Sequence, residues 1–286
     1  MKILVTGVKG QLGYDVMKVL AERKIEAVGA DIEEFDITDL DATRRFITQH
    51  RPDAVIHCSA YTAVDKAEEN KDLCRKVNAE GPRNIATVCK EIGAKMVYIS
   101  TDYVFPGTGD RFYEVDDPTG PLSEYGKTKL DGELAVKELL TRYFIVRISW
   151  VFGVNGNNFV KTMLRLGKER SEINVVCDQI GSPTYTADLA PLLCDMVVTD
   201  KYGTYHATNE GVCSWAEFTQ EIFRLAEYNT KVNPIPSSQY PTKAVRPMNS
   251  RMSKSELDRQ EFKRLPKWKD AVKRYLVLIN IHQSLL

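Results

Sequence analysis

A strand that runs straight into three spaced glycines and then a helix narrows the choice of fold more than any other feature of this sequence. Lys2-Ile-Leu-Val-Thr6 is apolar and rich in β-branched residues, and Gly7-Val-Lys-Gly10-Gln-Leu-Gly13 follows it directly. Gln11–Arg23 then sets Leu12, Val16, Val19 and Leu20 along one helical stripe. Glycine in such a turn permits positive φ, and the missing side chains let the backbone approach a pyrophosphate. The helix that follows turns its free N–H groups and the positive end of its dipole toward that anion. A lone glycine pattern says little. Between a strand and a helix, Gly7, Gly10 and Gly13 predict a dinucleotide-binding turn.

The rest of the first half repeats the strand–helix rhythm. Strands are expected at Glu26–Ala30, Ala54–Ser59, Lys95–Ser100 and Tyr143–Ile148, each a near-continuous apolar run suited to burial on both faces of a parallel sheet. Helices are expected over Leu40–His50 and Leu73–Ile92, the second long enough for about five turns. This alternation predicts an α/β fold, a Rossmann-type doubly wound parallel sheet. Beyond about residue 150, Pro and Gly become frequent and the strands shorten. Residues 1–150 are read as a dinucleotide-binding domain to which some later segments return, and 151–286 as mainly a smaller substrate-binding lobe. In that half, Ser214-Trp-Ala-Glu217 reads as a capping box opening a helix to about Glu227. Pro234–Pro247 reads as loop, and Pro266–Ile281 as a helix with Pro266 in its first turn.

Charge and cysteine usage exclude other classes. Lys plus Arg number 39 and Asp plus Glu 39, so there is no basic surplus to neutralise nucleic-acid phosphates. Six widely spaced cysteines form no Cys-x-x-Cys pair and suit buried free thiols in a reducing cytoplasm. The apolar run Tyr275–Ile281 is too short to span a bilayer, and no signal peptide is apparent.

Two acidic positions bear on coenzyme choice. Asp31 follows the second strand, where a carboxylate bonds ribose hydroxyls and disfavours a 2′-phosphate; alone it argues for NADH over NADPH. Asp36 and Ile37 suit an adenine edge and face.

The chemistry-bearing residues converge at mid-chain. Ser100-Thr101-Asp102-Tyr103 ends a predicted strand, the end at which open α/β sheets bind ligands. Ser123 offers an N-cap, and Tyr125 and Lys129 lie four apart on one face of the helix it opens. A lysine there is expected to lower the tyrosine pKa, making Tyr125 a proton donor to a carbonyl that Thr101 also binds. His57, inside a strand run, reads as a satisfied core residue, and Glu68-Glu69 as a solvated helix face.

The glycine turn, the Tyr-x-x-x-Lys pair and the preceding Ser-Thr resemble the extended short-chain dehydrogenase/reductases. Ala60-Tyr-Thr-Ala-Val-Asp-Lys-Ala-Glu68, Ser100–Gly109, Tyr125–Lys129, Gly156–Met163, Asp178–Thr184 and Arg246-Pro-Met-Asn-Ser-Arg251 narrow the likeness to the dTDP-4-dehydrorhamnose reductase family, over residues 1 to about 255. The resemblance implies NAD(P)H-dependent reduction of dTDP-4-dehydro-L-rhamnose to dTDP-L-rhamnose. By position it makes Tyr125 the proton donor, Lys129 the residue orienting the nicotinamide ribose, and Thr101 the residue tuning Tyr125. It places Gly10, Gln11 and Leu12 at the pyrophosphate, Asp36 and Ile37 near adenine, and Ala60, Tyr61 and Thr62 along the cofactor. Asp102, Tyr103 and Trp150 would face the hexose, with Asn158, Arg246 and Asn249 around the nucleotide sugar.

NADPH is the implied coenzyme, with NADH left open by Asp31. A homodimer is also left open. Some family members bridge subunits with metal through acidic residues. Asp15 occupies one such position, but Thr186-Ala-Asp188 supplies a single acid, which argues against Mg2+. Two rival readings remain. One is a non-catalytic regulatory subunit of methionine adenosyltransferase, against which the full Thr101, Tyr125 and Lys129 set speaks. The other is a sugar-nucleotide epimerase or dehydratase, which needs a further acid–base pair beside Thr101.

Overall fold

The computed structural model describes the backbone of residues 1–283 and the side chains of residues 1–279. Its first half forms β1 (Lys2–Thr6), α1 (Gln11–Glu22), β2 (Glu26–Ala30), α2 (Leu40–His50), β3 (Ala54–His57) and the short α3 (Val64–Ala67). Then come α4 (Lys71–Arg75), α5 (Gly81–Ile92), β4 (Lys95–Thr101), α6 (Glu124–Leu139) and β5 (Tyr143–Ile148). The second half holds β6 (Val151–Phe152), α7 (Phe159–Glu169), β7 (Glu172–Val176), β8 (Ile180–Gly181), β9 (Thr184–Tyr185), α8 (Thr186–Val197) and β10 (Gly203–His206). β11 (Cys213–Ser214), α9 (Trp215–Leu225), β12 (Lys231–Ile235), α10 (Ser255–Arg259) and α11 (Trp268–Gln283) complete it.

The β-branched runs pair as one parallel sheet of six strands in the order β10-β5-β4-β3-β1-β2. The chain runs from β1 to β2 on one side and then crosses back to β3 on the other. A crevice opens at the strand C-termini where the order reverses. Burial follows the doubly wound expectation. On one face Val16 and Leu20 of α1 pack with Leu189, Leu193 and Met196 of α8. On the other, Ile47 of α2 and Ile85 and Val88 of α5 cover Leu4, Val55 and Met96. Each such side chain contributes about 1.5–3 kcal/mol when fully removed from water.

Later segments return to this lobe: α8 lies against α1, β10 pairs with β5 from Gly203↔Phe144 to His206↔Arg147, and Leu257 of α10 joins the same core. Beneath that edge, fully buried Arg147 is held bidentately by Glu133 of α6, both contacts at 2.8 Å. The other lobe has its own core, in which Phe152, Tyr185, Phe218 and Tyr275 meet.

Three elements differ from the sequence pattern. The helix expected over 73–92 is α4, a π-helical turn at Lys76–Glu80, and α5. Pro82 has no N–H to give the Asn78 carbonyl one turn back, and that carbonyl takes the Tyr98 hydroxyl at 3.4 Å instead. Pro234 lies within β12, not a loop. Among the described residues β12 pairs with β7 alone, an edge position that tolerates the missing donor. Pro266 precedes α11 and uses its carbonyl to bind Glu210 N at 2.9 Å and Asn209 Nδ2 at 3.0 Å.

Candidate active site

The crevice is a cleft of about 820 Å3 between the two lobes. Its floor begins at the glycine turn. Gly7 sits at φ +72°, and a Cβ there would meet the backbone of Cys58 and Ser59. A Cβ on Gly13 would strike the Gly7 carbonyl, so the three glycines let α1 start directly behind the turn. The cradle is bare backbone facing the N-terminus of α1, which fits a pyrophosphate. Gly13 itself is a packing residue beneath the turn and does not line the cleft; Gly7, Gly10, Gln11 and Leu12 do.

Asp31, Asp36 and Ile37 line the far end of the same cleft. Asp31 accepts from Lys9 N at 3.0 Å and Ile32 N at 2.9 Å, while the Lys9 ammonium pairs with Glu33 at 2.6 Å. That cation therefore stands among the carboxylates that would repel a 2′-phosphate. Ala60, Tyr61 and Thr62 form the adjoining wall. Asn78, from the π-helical turn, fixes that wall by accepting from Tyr61 N at 2.8 Å and donating to Tyr61 O at 3.1 Å.

At the other end β4 and α6 bring Thr101, Tyr125 and Lys129 together. Ser123 caps α6 by accepting from Gly126 N at 3.1 Å. Gly126 packs under the Tyr103 carbonyl, where a side chain would collide. The Lys129 ammonium donates to the Ile99 carbonyl at 2.7 Å and lies 4.2 Å from the Tyr98 ring centroid. Burial lowers its pKa from the ordinary 10.5 to about 7, with Glu133 opposing.

The expected depression of the Tyr125 pKa by Lys129 is not found. Burial pushes the phenol well up, and only the nearby Thr101 hydroxyl pulls it down. The physical reason is that packing around the phenol penalises the phenolate more than Lys129, which directs one N–H to Ile99, favours it. Tyr125 is thus held protonated, the state a proton donor requires.

Asp102 is also buried. Its carboxylate accepts from Thr101 Oγ1 at 2.9 Å and Ser250 Oγ at 2.5 Å, and burial raises its pKa to about 6. Tyr103 packs edge-on against Tyr125, with centroids 5.4 Å apart. Arg246 reaches into this end, donating to the Tyr103 hydroxyl at 3.3 Å and to Asp65 at 2.6 Å.

Trp150 lines the cleft at φ +50°. Its ring stacks on Trp215 at 3.6 Å. Trp215 Nε1 donates to Gln179 at 3.2 Å. Sequence reading missed Trp215, although it directly follows the Ser214 cap.

Two expected ligand-side residues are not in the cleft wall. Asn158 caps α7 through Lys161 N at 3.0 Å and donates to Gly153 O at 2.8 Å and Tyr275 Oη at 3.2 Å. Asn249 donates to Thr108 O at 3.3 Å and Arg111 O at 2.8 Å. Both amides are engaged in the fold, and Asn158 also donates to the cleft-lining Gln11 side chain at 3.0 Å. Glu69 is exposed as expected, but Glu68 is half-buried and accepts from Glu124 N at 2.9 Å, at the first residue of α6. His57 shares a 2.7 Å hydrogen bond with Thr6 through Nδ1, but its buried Nε2 has no partner among the described residues. Asp15 accepts from Thr186 Oγ1 at 2.5 Å, and Asp188 pairs with Arg274 at 2.8 Å. Among the described residues no group of three His, Cys, Asp or Glu side chains stands ready for a metal, and no helix is long and apolar enough to cross a membrane.

Residues 1–280 match the family model described as RmlD substrate binding domain. A dTDP-4-dehydrorhamnose reductase of Streptomyces griseus is 41% identical over 276 residues, covering 94% of this chain and 91% of that protein. The crystal structure of a dTDP-4-dehydrorhamnose reductase from Clostridium acetobutylicum is 44% identical with a TM-score of 0.96, covering 98% and 100% of the two chains. That of the Bacillus anthracis dTDP-4-dehydrorhamnose reductase in complex with NADP is 43% identical with a TM-score of 0.94, covering 96% and 98%.

Proposed function

The chain belongs to the RmlD substrate binding domain family, and on that premise we propose that it reduces the 4-keto group of dTDP-4-dehydro-L-rhamnose to give dTDP-L-rhamnose, with NADPH as reductant. The observation that carries this reading is the joint placement of Thr101, a protonated Tyr125 and Lys129 in the cleft that the glycine turn opens. Relatives that cover most of both chains support it, and NADP bound to the Bacillus anthracis protein supports the coenzyme.

The coenzyme, when bound, supplies the hydride; the remaining work falls to this chain. Gly7, Gly10, Gln11 and Leu12 would hold its pyrophosphate against the start of α1. Asp36 and Ile37 would meet adenine, Asp31 the neighbouring ribose, and Ala60 to Thr62 the length of the molecule. Tyr125 donates its phenolic proton to the oxygen developing at the sugar C4. Thr101, whose one O–H goes to Asp102 in the free protein, would turn it to that oxygen and hold the carbonyl in line. Lys129 is buried beside this group and would bind the nicotinamide ribose with its N–H donors. Asp102, Tyr103 and Trp150 bound the hexose end, and the Arg246 guanidinium suits the diphosphate. Asn158 and Asn249 would act at one remove, by fixing loops around the cleft. The six cysteines are free thiols, which suits a cytoplasmic setting.

The test is Tyr125→Phe, assayed by NADPH oxidation with substrate generated in situ. We expect kcat to fall by about 10²–10⁴, the usual range for losing a positioned proton donor, with coenzyme affinity nearly unchanged. A variant that keeps wild-type kcat would remove Tyr125 from the role.

A further inference from the structure

Between the coenzyme wall and α4 lies α3, only four residues long; its Asp65, and Glu68 and Glu69 just beyond its end, each grip something distant. Glu68 holds the first amide of α6, one residue before Tyr125. Glu69 pairs with Lys243. Asp65 uses both oxygens on one loop of the other lobe: Oδ2 accepts from Arg246 Nη2 at 2.6 Å and Oδ1 from Ala244 N at 3.2 Å. It thus grips the arginine by its head and the loop by its backbone.

Lys243 and buried Ala244 help seat the stretch, but the Arg246 head itself is held by Asp65 and Tyr103. Tyr240 and Val245 are 59% and 57% exposed. Past the arginine the chain is tied down again, by Ile180 N on the Met248 carbonyl at 2.9 Å and by Asn249 on Thr108 and Arg111. A guanidinium on an exposed loop would lose rotamer freedom on binding an anion, at about 0.5–1.5 kcal/mol for such a side chain. Held in advance, it loses less. The grip also leaves the arginine usable, because a guanidinium has five N–H donors. One goes to Asp65 and one to Tyr103, and the rest remain for a ligand.

We infer that Asp65 is a positioning residue that sets Arg246 in the cleft to receive the diphosphate of the sugar nucleotide. This rests on the sugar-nucleotide reading above. Asp65 makes no contact with the reacting atoms; it acts through Arg246. As a like charge it works against the diphosphate, so its contribution is geometric and opposes its own electrostatics. The sign of a charge-removing substitution therefore decides the matter. If Asp65 positions Arg246, neutralising it weakens nucleotide binding. If Asp65 only repels or blocks, neutralising it strengthens binding.

The experiment is a double-mutant cycle of Asp65→Asn and Arg246→Ala, read as the Kd for dTDP by calorimetry and as steady-state KM and kcat. We expect Asp65→Asn to raise Kd and the sugar-nucleotide KM by about ten-fold, the scale of a lost hydrogen bond to a charged group. Saturating kcat and the NADPH KM should stay within about two-fold, whereas a general loosening of the fold would move both. In the Arg246→Ala background, Asp65→Asn should add less than about two-fold. Tighter binding in the Asn variant, or effects that multiply in the double variant, would overturn the inference. A wild-type protein that binds no dTDP would instead sink the functional reading.

Discussion

Lys129 should make this protein less stable than it could be, by an amount that depends on pH. Its pKa falls from 10.5 to about 7 in the folded chain because the ammonium is buried. Unfolded, the residue returns to 10.5. Between those values the unfolded chain binds the extra proton, so this residue makes stability rise with pH from about 7 to about 10.5. Below about 7 both states are charged and the penalty is complete. Above 10.5 both are neutral and it is gone. At about 1.4 kcal/mol for each tenfold change in proton affinity, the full penalty is about 5 kcal/mol. Lys129→Met keeps the volume and removes the charge, but it leaves the Ile99 carbonyl without its 2.7 Å donor, at a cost of about 1–3 kcal/mol. The variant should therefore be more stable than wild type by about 2–4 kcal/mol at pH 6, and less stable by about 1–3 kcal/mol near pH 10.5. Paired thermal melts without coenzyme would read this as roughly +4 to +8 °C at pH 6, with the sign reversing in alkali. Titrating groups that Lys129 does not touch cancel in the difference, and those it does, His57, Cys58 and Cys74, are shifted mainly by burial. A variant that is less stable at pH 6, or a difference that does not change with pH, would refute the argument. The same variant should lose most of its turnover, so the strain is held where the chemistry is.

Two further outcomes follow from the glycine turn and its rim. Gly13→Ala drives a methyl group into the Gly7 carbonyl, so the turn must shift; we expect coenzyme Kd to rise by about a hundred-fold or more in titrations, about 3 kcal/mol. Lys9→Ala removes the cation that pairs with Glu33 beside Asp31. KM for NADPH should rise by about ten-fold while that for NADH changes by less than about two-fold, on the scale of one charge-assisted contact; equal changes for both coenzymes would rule Lys9 out as the discriminating residue.

The framework was legible in the sequence because it is written locally. β-branched runs, a capping Ser and a glycine turn act through neighbours in the chain, and β1, β2 and β5 begin and end where the apolar runs do. Thr101, Tyr125 and Lys129 were legible for the same reason: a strand end and a four-residue spacing put them together. What escaped was tertiary. Trp215 stacks on Trp150 from a distant part of the chain, and Asp65 meets Arg246 across 181 positions of chain. Nothing in the local pattern announces either. Asn158 and Asn249 show the same limit: their motifs suggested ligand contact, and in the folded chain their amides bond Gln11, Tyr275 and backbone carbonyls outside the cleft wall. The tyrosine pKa was misjudged because a spacing says which groups are near, not how much water surrounds them.

The return of α8 and β10 to the sheet limits how the molecule can open. The chain leaves the sheet lobe after β5, comes back at α8, departs at β11, comes back at α10, and departs once more into α11. A hinge made of a single linker can swing; this one is laced, and turning one lobe against the other would bend every crossing at once. Ligand entry should then depend on small local movements at the rim, above all in the stretch around Val245, with the lobes nearly fixed. A cut at residue 150 would free neither half, since each would lose strands or helices that complete its core.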